Sequence, residues 1–233
     1  MKVKFLLAPL AAMMFSLFSA NASAVIYDFI KLTEDNPGGL GESAWGTLNV
    51  GNMHITGHAS DDGDQQQFAY LDWGNAGLGV CKDLVAGAST GADTGSGTNK
   101  CSPSSDDNVT NHEYLDFTFD EDVTVENLWF DNNHDGGFVN GDQVNIGIVG
   151  LGLTAFDLAL GYAPGQPYPQ AGMNGIGSFF VAKGNILRVA FNNQQFYISG
   201  MEVNPVPVPA ALWLFGTAIA GLFGFGQRRR AAA

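Results

Sequence analysis

The sequence is short of cysteine and of basic residues. Its 233 residues include two cysteines and ten lysines and arginines, against 23 aspartates and glutamates. Two cysteines are too few for a small fold that depends on several disulfides. The low basic content argues against a nucleic-acid partner. A chain that is 45% hydrophobic and 12% aromatic is too apolar for intrinsic disorder, and its length indicates one folded domain or two.

The charged residues are unevenly distributed along the chain. Residues 1–24 and 205–233 contain five basic residues and no acid. Residues 25–204 contain the other five basic residues and all 23 acids, which gives this region a net charge of −18. The chain is therefore an acidic body between two basic ends, and each end has a recognisable pattern.

The N-terminal end is typical of a secretory signal peptide. It has two early lysines, an apolar run over residues 5–18 and the small-residue sequence Ala22-Ser23-Ala24. This order of charge, apolar run and cleavage site predicts a signal peptide over 1–24. The mature chain is then expected to begin near Val25, after export by the Sec pathway.

The C-terminal end, 205–233, has three parts. Val206-Pro207-Val208-Pro209 is followed by the uncharged stretch 210–226 and then by Arg228-Arg229-Arg230. Seventeen helical residues span about 26 Å, close to the roughly 30 Å of a bilayer core, so 210–226 predicts a single transmembrane helix. The positive-inside rule makes the three arginines a cytoplasmic membrane stop and leaves the acidic body outside.

These C-terminal residues resemble the PEP-CTERM sorting signal of Gram-negative bacteria. The match covers the proline motif 206–209, the helix with Trp213-Leu214-Phe215-Gly216, and the arginine cluster. Glutamate usually stands where this chain has Val208, so the motif resembles the valine variant. The resemblance implies an exosortase, a membrane-embedded cysteine transpeptidase, as partner. It also implies a precursor anchored in the inner membrane, then delivery to the cell surface or extracellular matrix, often alongside exopolysaccharide.

The region 25–204 has the pattern of an all-β domain. Apolar and polar residues alternate over 114–119, 123–130 and 143–149, and Gly, Asn and Asp turns separate these segments. Earlier strands are expected in 45–55 and 67–72. Short strands at this spacing predict a β-sandwich or jelly roll.

Two further expectations concern the later part of this domain. The segments 186–191 and 195–203 predict a late pair of strands joined by a turn at Asn192-Asn193. The segment 150–161 is long enough to hold one short helix.

Cys81 and Cys101 flank a stretch rich in Gly, Ser, Thr, Asp and Asn over residues 87–105. Such a composition predicts a long surface loop. Because export places the chain in an oxidising compartment, we expect a disulfide between the two cysteines. A reactive or metal-binding thiol pair is the alternative.

The segment Asp131 to Asp142 is the candidate metal site. Oxygen side chains stand at positions 1, 3 and 5 (Asp131, Asn133, Asp135), a glycine at position 6 and Asp142 at position 12. This spacing resembles the Ca²⁺ loops of EF-hand and dockerin modules, which makes Ca²⁺ the candidate cofactor. An Asn/Asp/Gly turn between two strands uses the same residue types.

The sequence contains no catalytic motif in a convincing context, so the prediction is that the protein is not an enzyme. Trp45, Trp73 and Trp129 form either a platform that stacks on sugar rings or part of the core. The expected function is a structural or binding role in the envelope or biofilm matrix. The alternative is a carbohydrate-binding module for exopolysaccharide, which makes polysaccharide a candidate partner.

Overall fold

The computed structural model of the chain describes residues 23–34, 38–74, 76–92, 98–132, 137–158 and 178–207. Most of the predicted signal peptide, the predicted transmembrane segment 210–226 and the arginine cluster 228–230 lie outside them. The chain divides into two units, of which the one described here runs from Ala24 to Pro205. No helix within the described ranges has the length and apolar character needed to cross a membrane.

The described residues form thirteen strands and little helix. The helix α1 (Phe29–Leu32) is a single turn, in which Asp28 accepts a hydrogen bond from the backbone N–H of Lys31 at 2.9 Å. The strands are β1 (Val25–Asp28), β2 (Ser43–Trp45), β3 (Leu48–Val50), β4 (Met53–Ala59), β5 (Gln65–Asp72), β6 (Gly77–Cys81), β7 (Glu113–Phe119), β8 (Val123–Asp131), β9 (Gln143–Ile148), β10 (Gly152–Asp157), β11 (Phe179–Val181), β12 (Leu187–Phe191) and β13 (Tyr197–Pro205).

All described strand pairs are antiparallel, and together they make one curled sheet. The order along the sheet is β10-β9-β12-β7-β4-β5-β6-β13-β8-β11, with β1 paired to β13, β2 to β5 and β3 to β4. Strand β5 joins two halves, because Gln65–Gln67 pair with β4 and Phe68–Asp72 pair with β6. We call them the β4 half (β3, β4, β7, β9, β10, β12) and the β13 half (β1, β2, β6, β8, β11, β13).

The inner faces of the two halves share one hydrophobic core. Strand β4 alternates between buried and half-buried residues along its whole length, as a strand with one face on a core must. Large, fully buried apolar side chains of the core come from both halves, among them Leu48, Met53, Ile55, Leu115 and Phe117 from the β4 half, and Leu78 and Leu128 from the β13 half. The all-β prediction is confirmed, and this shared core is consistent with its sandwich component.

The two expectations about the later part of the domain are corrected. Residues Gly152–Asp157 form strand β10 instead of a helix, because all six residues pair with β9 and Phe156 packs against the core. Strands β12 and β13 exist but do not pair with each other. The first pairs with β7 and β9, and the second with β8, β6 and β1. The turn after β12 therefore crosses from one half to the other.

Candidate functional site

The candidate calcium segment is only partly described. Asp131 is the last residue of β8 and is 2% exposed, while Asp142 lies in the turn before β9. Oδ2 of Asp142 accepts a hydrogen bond from the backbone N–H of Val139 at 2.7 Å. Asn133 and Asp135 lie outside the described residues. Asp142 therefore stabilises the turn before β9 by accepting a backbone hydrogen bond, as the turn interpretation expects. The calcium interpretation stays a prediction.

Metal ligands do not cluster in the part of the chain that the structure describes. There, no group of three or more His, Cys, Asp or Glu side chains comes close enough to hold a metal ion. The acidic sequence Asp61-Asp62 lies in a 3₁₀ turn between β4 and β5, and Asp61 forms an ion pair with Lys82 at 3.7 Å. This acidic turn is surface structure.

Cys81 and Cys101 form the predicted disulfide, with their Cα atoms 5.7 Å apart. The thiol alternative is thereby wrong. The bridge holds the segment that follows β6 against the outer face of the β13 half. The approach is close at Gly79, where a Cβ atom would lie 2.1 Å from the carbonyl oxygen of Asp107. Residues 107–108, which follow the predicted surface loop, thus pack directly on β6, while most described residues of 87–105 are exposed as expected.

Two tyrosines and two carboxylates fill the space under this loop. The Tyr70 hydroxyl donates to Oε1 of Glu42 at 2.6 Å, and the Tyr197 hydroxyl donates to Oδ1 of Asp107 at 2.6 Å. The backbone N–H of Lys100 donates to the Tyr70 oxygen at 2.8 Å. All four side chains are at most 7% exposed. The network ties the loop to the sheet through buried polar groups that satisfy one another.

Burial sets the ionisation of this network. It raises the pKa of Glu42, while the hydrogen bond from Tyr70 partly offsets the rise. Burial also raises the pKa of Tyr70 and of Tyr197, so both hydroxyls stay protonated and act as donors. Tyr70 and Glu42 are 28 positions apart in the chain, and Tyr197 and Asp107 are 90 positions apart. No sequence pattern marks such pairs, and our sequence analysis missed them.

A second polar cluster lies on the outer face of the β4 half. The rings of His58 and Tyr114 stack with centroids 4.9 Å apart and planes 6° apart. The guanidinium carbon of Arg188 lies 3.7 Å from the Tyr114 ring centroid. Arg188 also donates to both oxygens of Asp116, at 2.8 and 2.9 Å. Neighbouring strands hold these groups in line, since His58 pairs with Tyr114 and Asp116 with Arg188.

The groups of this cluster stabilise one another. The hydrogen bonds to Asp116 raise the pKa of Arg188, which keeps its charge fixed. Burial lowers the pKa of His58, although its Nε2 lies 3.8 Å from the Asp116 carboxylate and 2.9 Å from the Thr56 hydroxyl oxygen. A bidentate pair capped by an aromatic ring is a strong anchor for a sheet surface. Tyr114 is 5% exposed, because His58 and Arg188 cover its ring.

The three tryptophans do not form one platform. Trp129 is 9% exposed, and Trp45 is half-buried against the core. Trp73, in the turn after β5, is 47% exposed and remains accessible to a ligand. For two of the three residues the core interpretation therefore holds.

The start of the sorting motif follows directly on the last strand. Pro205 ends β13 and pairs with Val123 of β8. Val206 and Pro207 follow without regular structure, while Val208, Pro209, Arg228, Arg229 and Arg230 lie outside the described residues. Comparison with models of known protein families, with curated proteins and with solved structures yields no match.

Proposed function

We propose that the chain is an exported surface or extracellular-matrix protein of a Gram-negative bacterium, sorted by an exosortase-type system. In this proposal, residues 1–24 direct export and 205–233 anchor the precursor until the motif at 206–209 is processed. The curled sheet is then a jelly-roll-like β-sandwich displayed outside the cell. Its role is structural or binding, and it is not an enzyme.

One observation carries this proposal: the bounds of the folded unit. The unit runs from Ala24 to Pro205, so it begins at the proposed cleavage site and ends directly before the proline motif. Strand β1 pairs with β13 through Val25–Val203 and three further residue pairs. The two ends of the unit therefore lie side by side, and removal of both flanking segments leaves every described strand intact.

The disulfide and the acidic charge also support the proposal. A bond between Cys81 and Cys101 persists in an oxidising compartment such as the periplasm or the extracellular space. A net charge of −18 over 25–204 favours solubility outside the cell and opposes direct adhesion to anionic surfaces.

Mass spectrometry of the mature protein from its native envelope tests the sorting route. We expect an N-terminus at Val25 and a C-terminus at or near the motif 206–209. Replacing Pro207 by alanine should slow processing and leave the C-terminal segment attached. Pro205→Ala, the same change just outside the motif, is the matched control and should be processed normally. A mature chain that still ends in Ala233 would contradict the proposal.

Carbohydrate binding is the second candidate function, and the exposure of Trp73 favours it. An exposed indole ring binds a sugar face by burying apolar area. We expect Trp73→Ala to lose at least tenfold in affinity for exopolysaccharide from the producing strain, measured by titration calorimetry. Phe180→Ala removes another exposed aromatic ring, 57% exposed on β11, and should bind as the wild type does. Equal affinities for all three proteins would eliminate a Trp73 site.

A further inference from the structure

The hairpin of β9 and β10 has an open edge. Strand β10 pairs with β9 over all six of its residues, Gly152–Asp157, without any register shift. Its other edge pairs with no strand among the described residues. In an antiparallel ladder, alternate N–H and C=O groups of such a strand point outward. These groups are a template for another extended backbone.

The hairpin has few of the features that usually block edge pairing, since its one charged residue, Asp157, stands at the very end of β10. Lysine, proline, bulges and inward charges are the common protections of edge strands. The segment from Gln143 to Phe156 contains no charged residue and no proline, although it belongs to a region with a net charge of −18. Its tip also exposes apolar side chains: Leu151 is 83% exposed, and Val149 and Leu153 are each 43% exposed.

The open edge is held in a fixed shape by its inner partner. A Cβ atom at Gly147 of β9 would lie 2.2 Å from the carbonyl oxygen of Gly152, so the two strands approach closely there. Strand β9 is itself paired on its other side with β12 over five residues. The edge is therefore preorganised, which lowers the entropic cost of adding a strand.

We propose that β10 is a self-association edge, at which a second copy of this chain adds its own β10 in antiparallel orientation across a twofold axis near Ala155. The β4 half then continues from one copy into the other, and Leu151 and Leu153 lose exposure to water. This inference does not depend on the sorting route or on carbohydrate binding.

Charge identifies a second copy as the partner. Two copies that each carry about 18 negative charges repel each other over most of their surfaces. The repulsion is smallest where charges are fewest, and the hairpin, in which Asp157 at the end of β10 is the one charged residue, is such a place in both copies. An antiparallel pair formed by a strand with itself is isologous, so donors and acceptors match by symmetry.

The size of the contact predicts a reversible dimer. Six residues of backbone edge and a few apolar side chains bury less than the roughly 1,600 Å² of a standard interface. We therefore expect dissociation in the micromolar range. On a surface where many copies are held close together, a high effective concentration compensates for such weak pairing.

Sedimentation equilibrium of the full mature protein, from about 1 to 300 µM, tests the proposal. The wild type should shift from monomer to dimer, and more so at high salt, because salt screens the repulsion between the acidic bodies. Leu153→Lys places a charge on the exposed face of β10 and should remain monomeric. Phe180→Lys, the same kind of change on the edge strand β11, is the matched control and should dimerise normally.

Cross-linking separates β10 pairing from other dimers and does not depend on a destabilising change. Both native cysteines are in the disulfide, so Ala155→Cys introduces a single free thiol. Oxidation should link two Ala155→Cys chains, while Phe180→Cys should not cross-link.

Three results would overturn the proposal. A wild type that stays monomeric at all concentrations means that the edge is covered within one chain or serves a different partner. Dimerisation of Leu153→Lys, or cross-linking of Phe180→Cys but not of Ala155→Cys, would place the contact elsewhere.

Discussion

Glu113 should make the domain less stable as the pH rises through the neutral range. This residue begins β7 and is 4% exposed. Its Oε2 accepts hydrogen bonds from the backbone N–H and the hydroxyl of Thr110, both at 2.8 Å. Burial nevertheless dominates and raises the pKa of Glu113 from 4.5 to about 7, and nearby acids add to the rise.

The sign of the effect follows from proton linkage. Between pH 4.5 and 7 the folded protein holds a proton on Glu113 that the unfolded chain has lost. The free energy of unfolding therefore falls as the pH rises through this window. A rise of this size in the pKa corresponds to roughly 3 kcal/mol at pH 8, as an upper bound.

Glu113→Gln removes the charge and keeps an oxygen that accepts the Thr110 hydrogen bonds. We expect the variant to be more stable than the wild type at pH 8 by up to about 3 kcal/mol, and similar to it at pH 4.5. Urea unfolding followed by tryptophan fluorescence at several pH values measures this. The difference between the two proteins isolates Glu113, because the other shifted groups are common to both.

Glu121→Gln is the matched control. Glu121 is exposed and accepts a hydrogen bond from Asn52 at 2.9 Å, so losing its charge should change stability little at any pH. If the unfolding free energies of Glu113→Gln and wild type run parallel from pH 4.5 to 8, the argument from burial is refuted.

Three further predictions follow from packing and charge. Gly79→Ala should lower the free energy of unfolding in urea by about 1–3 kcal/mol, because the Asp107 carbonyl above Gly79 must move. Gly46→Ala, where a Cβ would have no neighbour closer than 4.0 Å, is the control and should lower it by less than about 1 kcal/mol. Asp116→Asn leaves the Arg188 charge without its carboxylate and should lower the melting temperature by several degrees. Millimolar Ca²⁺ should raise the melting temperature of the wild type and not of Asp131→Asn; an equal shift in both would dismiss the calcium loop.

The alternation of apolar and polar residues predicts some strands of this domain, but other strands lack the pattern. Strands β7, β8 and β9 were found from their sequence because one face is apolar and packs on the core. Strand β6 was missed because all five of its residues are buried, its outer face being covered by the disulfide loop. Strand β10 was missed for the opposite reason, since four of its six residues are exposed.

The polar clusters were beyond sequence reasoning for a topological reason. Arg188 and Asp116 meet because β12 lies beside β7, although 72 residues separate them in the chain. Pairing between strands far apart in sequence is set by the course of the whole sheet. The disulfide was predictable because the chain has only two cysteines and the predicted export implies an oxidising compartment.

The raised pKa values mean that the formal charge of −18 overstates the negative charge of the folded domain. Burial raises the pKa of Asp28, Glu42, Asp106 and Glu113, so folding keeps protons on acids that the unfolded chain would lose. Glu113, whose pKa rises to about 7, is the acid among them that is partly protonated near neutral pH. Exposed acids cluster at Asp61, Asp62 and Asp64 and at Asp120, Glu121 and Asp122, where their charges oppose contact between copies. In such a surface, a hairpin whose one charged residue is Asp157 is where we expect a contact between copies to form.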